Sequence, residues 1–220
     1  MSSMFAGDGR IELMPSPEPT QWWVVVPIKG GPGAKSRLRR SVDDADLVAA
    51  IAHDTLAVAG RVVGAERVVV VTSDPHEVSH ARASGHVIAT DPAQGLDAAC
   101  LVGVAAALAD GAGQVAILLG DHPALTDAEL GAALEAGARH TSFFVPDSDG
   151  TGTALLGTTA GSAPEVAFGP GSADRHAALG HARLDLDLPG LRHDVDDESS
   201  LRHPEVQRTL GPRTRRILGR

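Results

Sequence analysis

The chain has 220 residues and a formal net charge of −9, from 19 Lys and Arg against 28 Asp and Glu, and 43% of it is apolar. That composition belongs to a folded chain with room for one substantial core and excludes wholesale disorder. The negative balance argues against a binder of nucleic-acid polymers. The absence of an apolar run near ~18 residues argues against a membrane-spanning protein.

Residues 1–20, with Pro15, Pro17 and Pro19, read as a disordered leader without the basic-then-apolar order of a secretory signal. Cys100 is the only cysteine, so neither an intrachain disulfide nor a Cys-based zinc site can form. Together these features lead us to expect a cytoplasmic protein. The chain has two lysines, Lys29 and Lys35, six positions apart.

Trp22 to Ile28 is an apolar, β-branched run of strand length, followed by a Gly/Pro-rich loop from Lys29 to Ser36. Ser41-Val-Asp-Asp resembles a capping box, and Leu47, Ile51, Leu56 and Val58 then recur at helical spacing up to Gly60, which can end the helix. Strands are predicted at Val68–Thr72, His86–Ala89, Val115–Leu119 and Ser142–Val145, and helices at 76–84, 96–109 and 126–139. Continuous apolar strands alternating with helices imply a three-layer α/β domain with a mainly parallel sheet, covered on both faces. Beyond residue 146 only short pieces between glycines are evident. We expect one domain over 21–210 and a solvated basic tail over 211–220.

Ligands of open α/β sheets bind beyond the carboxyl ends of the strands, and four loops are informative there. Lys29-Gly-Gly-Pro-Gly-Ala-Lys-Ser-Arg37 combines glycines, exposed N–H groups and the charges of Lys29, Lys35 and Arg37. It is neither a P-loop nor a dinucleotide fingerprint, and it can also be an exposed turn. Asp121, in Gly120-Asp-His-Pro, can hold a divalent cation against phosphates or cap a nearby helix. Asp194 and Asp196 alternate along an extended segment and so share a side, whereas Asp197 and Glu198 read as helix-start charges. Read alone, that acidic run is a solvated surface; with Asp121 it suggests a metal site. Gly150-Thr-Gly-Thr153 and Gly169-Pro-Gly-Ser172 offer hydroxyls and N–H groups for a small anion, or are ordinary turns. Ser172 also suits the cap of a helix over 173–179, and Cys100 reads as a core thiol. His122 and His176 lie near these loops and read as surface or hydrogen-bonding residues.

Taken in order, Val-Pro-Ile-Lys…Ala-Lys-Ser-Arg-Leu, Gly-Asp-x-Pro, Gly-Thr-Gly-Thr, Phe-Gly-x-x-Ser-x-x-x-His and Asp-Val-Asp resemble the guanylyltransferases of coenzyme F420 biosynthesis. The match runs over residues 22–200. The resemblance implies a nucleotide-diphospho-sugar-transferase-like (Rossmann-like) fold. It also implies a reaction that joins GTP to phosphoenolpyruvate, or to 2-phospho-L-lactate or 3-phosphoglycerate, with release of pyrophosphate. By the same resemblance Asp121, Asp194 and Asp196 would hold Mg²⁺, and Thr153, Gly169 and Ser172 would contact the phospho-acid. Nucleotide contacts would come from Pro27, Lys29, Gly33, Lys35, Ser73 and Gly95, with Lys29, Lys35 and Arg37 acting on the phosphates. A downstream transferase would consume the product. Two departures stand out: the Gly-Gly-Pro-Gly loop where relatives carry bulkier residues, and Asp97 where many carry Asn, which leaves base or ribose contacts there open. An inactive GTP-binding protein is the rival reading, disfavoured by retention of all three aspartates.

Overall fold

The computed structural model describes residues 21–28 and 43–219. In chain order the elements are β1 (Trp22–Pro27), α1 (Asp43–Val63), β2 (Val68–Val71), α2 (Pro75–Ala83), β3 (Val87–Ala89), α3 (Leu96–Ala109), β4 (Gln114–Leu118), α4 (Asp127–Gly137), β5 (Ser142–Pro146), β6 (Thr153–Thr158), α5 (Ser172–Ala178), β7 (Ala182–Arg183), α6 (Pro189–Arg192), α7 (Glu198–Leu201), α8 (Pro204–Thr209) and α9 (Pro212–Ile217).

The strands form one sheet in the order β3-β2-β1-β4-β6-β5-β7. β1 runs parallel to both β2 and β4, with Val25 opposite Val69 and Ile117. β6 is antiparallel to its neighbours β4 and β5. Alternation decides what each strand residue covers. Val24, Val26, Val68, Val70, Ala116 and Leu118 enter one core with α1 and α4. Val25, Val69, Val71, Val115 and Ile117 enter another with α3. Both faces are buried, which explains why these strands read as unbroken apolar runs. Cys100 is a fully buried member of the second core, and burial pushes its thiol up to about 12.

Three expectations are corrected. Gly60 does not end α1, which continues to Val63; a Cβ at position 60 would press on the His86 ring at 3.2 Å, so glycine there serves close approach. The chain after residue 146 is not merely short pieces, because Thr153–Thr158 is a fully buried strand between β4 and β5. Nor is 211 onward a solvated extension. α9 docks on α1, with Thr214 buried and the Arg213 and Thr214 N–H groups donating to the Asp54 carboxylate at 3.1 and 2.8 Å. The Arg215 and Arg216 side chains are exposed. A third apolar cluster of Leu47, Ile51, Ala124, Val195, Leu201, Val206 and Leu210 joins α1 to α7 and α8.

This topology gathers the site. Because β6 is antiparallel, its first residue, Thr153, pairs with Pro146 at the carboxyl end of β5, and Leu155 pairs with Leu118 at the carboxyl end of β4. The loops after β2 and β4 and the loop joining β5 to β6 therefore open at one end of the sheet, beside the carboxyl end of β1.

Candidate active site

The acidic centre is built from two segments far apart in sequence. Asp121 follows β4, and its carbonyl accepts the Val195 N–H at 2.9 Å. Val195 is buried in the third apolar cluster, so the residues on either side of it are turned away from that cluster. Carboxylate oxygens of Asp121, Asp194 and Asp196 lie within 4.8 Å of one another. The helix α1 fixes this loop from beneath: the His122 N–H donates to Thr55 Oγ1 at 3.2 Å, and that hydroxyl donates to the Ile51 carbonyl at 3.1 Å. Asp121 does not cap α4, which is capped by Thr126 and Glu129 in a reciprocal capping box. Asp197, by contrast, caps α7, and hydrogen bonds from Ser199 and Ser200 hold its carboxyl down to about 2. The adjacent acids thus divide between a helix start and a cluster. Three close carboxylates supply an all-oxygen donor set that fits a hard divalent cation.

These acids border a cleft of about 380 Å³, also lined by Thr153, Gly169 and Ser172. Asp147, at the carboxyl end of β5, shapes one wall. Its carboxylate accepts the N–H groups of Thr151 and Gly152 at 2.9 and 2.8 Å, and a Cβ at Gly152 would collide with it. Ser172 does not cap α5, whose N-cap is Gly171 in the left-handed region. Ser172 Oγ instead bonds Thr153 Oγ1 at 3.1 Å. His176, one turn along α5, reaches the same hydroxyl through Nδ1 at 2.9 Å, and its Nε2 accepts the Ala167 N–H at 3.0 Å. Burial, the nearby His181 and Arg175 push the His176 pKa down to about 4, against an opposing pull from Asp97. His122 and His176 are both buried, not surface residues.

A second cleft, of about 600 Å³, opens beyond β1 and β2 and is lined by Pro27, Ser73 and Gly95 together with Asp74, Asp91 and Leu96. Ser73 Oγ donates to the Asp91 carbonyl at 3.0 Å, tying the β2 and β3 loops together. Gly95 precedes α3 with φ +98°, a conformation that favours glycine. Leu96 lines both clefts, so they adjoin. Asp97 Oδ1 accepts the Phe168 N–H at 2.9 Å, joining the start of α3 to the Gly169 loop. The Asp97 carboxylate thus has a structural partner within the fold. Lys29, Gly33, Lys35 and Arg37 lie outside the described residues. Sequence reasoning missed Asp97 as a bracket and the burial of His176; the hydrogen-bonding reading of His176 holds, with Thr153 and the Ala167 N–H as its partners.

Comparison with known proteins agrees with this architecture. A family model described as the MobA-like NTP transferase domain matches residues 42–203. A phosphoenolpyruvate guanylyltransferase of Geodermatophilus obscurus is 42% identical over 90% of this chain and 94% of its own. Another, of Sanguibacter keddieii, is 40% identical over 90% of this chain and 84% of its own. Among solved structures, a provisionally assigned nucleotide-diphospho-sugar transferase of Desulfovibrio desulfuricans superimposes with a TM-score of 0.66 at 17% identity, over 91% of this chain and 95% of the other. A cytidylyltransferase of Leptospira borgpetersenii gives 0.56 at 10% identity, over 91% and 93%. At such identities the structures speak to fold alone.

Proposed function

The chain belongs to the phosphoenolpyruvate guanylyltransferase family, and from that premise we propose the reaction and the residues that perform it. It is a nucleotidyltransferase that joins GTP to phosphoenolpyruvate, giving enolpyruvoyl-2-diphospho-5′-guanosine and pyrophosphate. A phosphate oxygen of phosphoenolpyruvate forms the new bond to the α-phosphorus of GTP, and the bond from that phosphorus to the bridging oxygen breaks as pyrophosphate leaves. The observation that carries this reading is the convergence of Asp121, Asp194 and Asp196 on a cleft shared with Thr153 and Ser172, beside a second cleft large enough for a nucleotide.

The attacking oxygen needs no general base, because a phosphate monoester has its second pKa near ~6 and is largely ionised at neutral pH. What opposes reaction is the approach of two anions: unit charges ~4 Å apart repel by about 4 kcal/mol at an effective dielectric of ~20. Asp121, Asp194 and Asp196 would hold Mg²⁺, which when bound supplies charge neutralisation at the phosphates. Thr153, Gly169 and Ser172 orient the acid, and Pro27, Ser73 and Gly95 bound the nucleotide cleft. Lys29, Lys35, Arg37 and Gly33 belong to the loop assigned to the triphosphate, where cationic side chains would stabilise the leaving pyrophosphate. In this reading the enzyme works in the cytoplasm, in coenzyme F420 biosynthesis, and a downstream transferase takes its product. Among the described residues no helix is long and apolar enough to cross a membrane.

The test is pyrophosphate release from GTP and Mg²⁺ with each of phosphoenolpyruvate, 2-phospho-L-lactate and 3-phosphoglycerate. Turnover is expected to be fastest with phosphoenolpyruvate. Absence of turnover with all three, in verified folded protein, rejects the reaction.

A further inference from the structure

The geometry points to His176 as a positioning residue of the acid site, one that compels the Thr153–Ser172 hydroxyl pair to present an O–H donor to an anionic oxygen of the substrate. This rests on the reading of that cleft as the phospho-acid site. The Ala167 backbone N–H can only donate, and it points at His176 Nε2 at 3.0 Å, so Nε2 carries a lone pair. In a neutral imidazole the proton is then on Nδ1, and Nδ1 donates to Thr153 Oγ1 at 2.9 Å. A depressed pKa of about 4, caused chiefly by burial, agrees with a neutral ring at physiological pH.

Thr153 and Ser172 hold two hydroxyl protons between them, and their mutual bond at 3.1 Å uses one. With His176 donating, neither hydroxyl can spend its proton on the ring. Whichever of the pair donates to the other, one O–H remains, and both residues line the cleft. The opposite tautomer reverses this. Nδ1 would then draw in the Thr153 proton, Ser172 would donate to Thr153, and the cleft would meet only lone pairs. One backbone N–H, from Ala167, therefore decides whether this wall attracts an anionic oxygen or repels it. The device is rigid, because His176 is fully buried and wedged between the rings of Phe144 and Phe168 at 5.9 and 5.1 Å.

The side-chain amides separate the two ring nitrogens. The amide of Asn reaches the Nδ1 position and that of Gln the Nε2 position, so His176→Asn keeps a donor for Thr153 while His176→Gln keeps only an acceptor for Ala167. We expect His176→Gln to raise KM for phosphoenolpyruvate about tenfold or more, with kcat and KM for GTP little changed. His176→Asn should restore KM to within ~3-fold of wild type, as one preserved hydrogen bond predicts. Equal losses in both variants, or a fall in kcat with KM unchanged, overturn the proposal, because a purely structural role would not distinguish the amides.

Nitrogen-15 NMR of the wild-type ring decides the same point without activity and without either variant folding. A pyrrole-type Nδ1 and pyridine-type Nε2 support the arrangement, and an Nε2–H tautomer or an imidazolium at pH 7 overturns it. A wild type that releases no pyrophosphate with phosphoenolpyruvate rejects the proposed reaction and, with it, the assignment of the acid. The ring spectrum still reports separately whether the hydrogen-bond chain stands.

Discussion

Asp121 carries two jobs in one residue. Its backbone carbonyl pins the 194–196 segment through Val195, while its carboxylate joins Asp194 and Asp196. Replacing it with Asn leaves the backbone bond and the side-chain shape and removes only the charge. For Asp121→Asn we expect kcat/KM to fall at least ~100-fold, about 2.7 kcal/mol of transition-state stabilisation, with an unchanged circular dichroism spectrum. A near wild-type rate at limiting Mg²⁺ would remove the carboxylate from the proposed metal site. The three aspartates were legible in the sequence because strand alternation and a polar turn after an apolar strand are local signals. Asp97 and His176 were not, because their partners, the N–H groups of Phe168 and Ala167, arrive through the tertiary fold, in the Asp97 case from 71 positions away. Ser172 illustrates the competing pull: local sequence suits it to an N-cap, yet the start of β6 brings it Thr153 instead.

At the scale of elements, helix α3 comes close against the sheet at Gly103. A Cβ there would collide with Val25 Cγ1 and meet Val71 Cγ2 at 2.6 Å. Both valines are buried in central strands, and a β-branched side chain has little rotamer freedom with which to yield. Gly103→Ala gains up to ~1 kcal/mol of helix propensity, but overpacking costs about 1–3 kcal/mol. We therefore expect a net destabilisation on the order of 1 kcal/mol, read as a lower urea midpoint with unchanged m-value. A raised midpoint would mean that α3 can ride away from the sheet. The elements with strong periodic or continuous apolar patterns were legible: β1, β2, β4 and α3 differ from expectation by a residue or so at their ends. β6 escaped notice because TALLGT is short, lies among glycines and is buried along its whole length, which removes the alternation that betrays a half-exposed strand. α9 escaped because arginines dominate its composition, whereas its docking depends on Thr214 and on the buried Asp54 carboxylate of α1.

For the whole molecule, a net charge of −9 argues against polyanions as partners but does not set the local field of a cleft. Two titrations of global stability separate the sites. His176 is neutral in the fold with a pKa of about 4, facing His181, Arg175 and Asp97, and it returns to the ordinary value near ~6.5 when the chain unfolds. Between those values the unfolded chain binds the extra proton, so stability falls as the pH drops from ~6.5 towards 4. The advantage of wild type over His176→Gln in urea unfolding should therefore shrink by up to ~2 kcal/mol between pH 7 and pH 4.5; a constant gap would mean that the ring titrates normally.

The acidic centre invites a different test, in which a cation relieves the fold. Carboxylates of Asp121, Asp194 and Asp196 within 4.8 Å repel one another when all are ionised, and unfolding separates them. A cation that binds the folded cluster and not the unfolded chain must stabilise the protein by mass action, and at ten times its dissociation constant the gain is about 1.4 kcal/mol. For a domain of this size that corresponds to a rise in Tm of about 3–6 °C. Mg²⁺ added without nucleotide should produce such a rise in wild type and little of it in Asp194→Asn or Asp196→Asn, with sodium chloride at matched ionic strength as the control. If the variants respond as wild type does, the cation acts elsewhere on a surface of net negative charge. Because the Val195 bond and the packing of α7 and α8 on α1 help to hold Asp194 and Asp196 beside Asp121, a cluster-specific shift would also mean that the C-terminal helices are part of the cation site's framework and not an appendage to it.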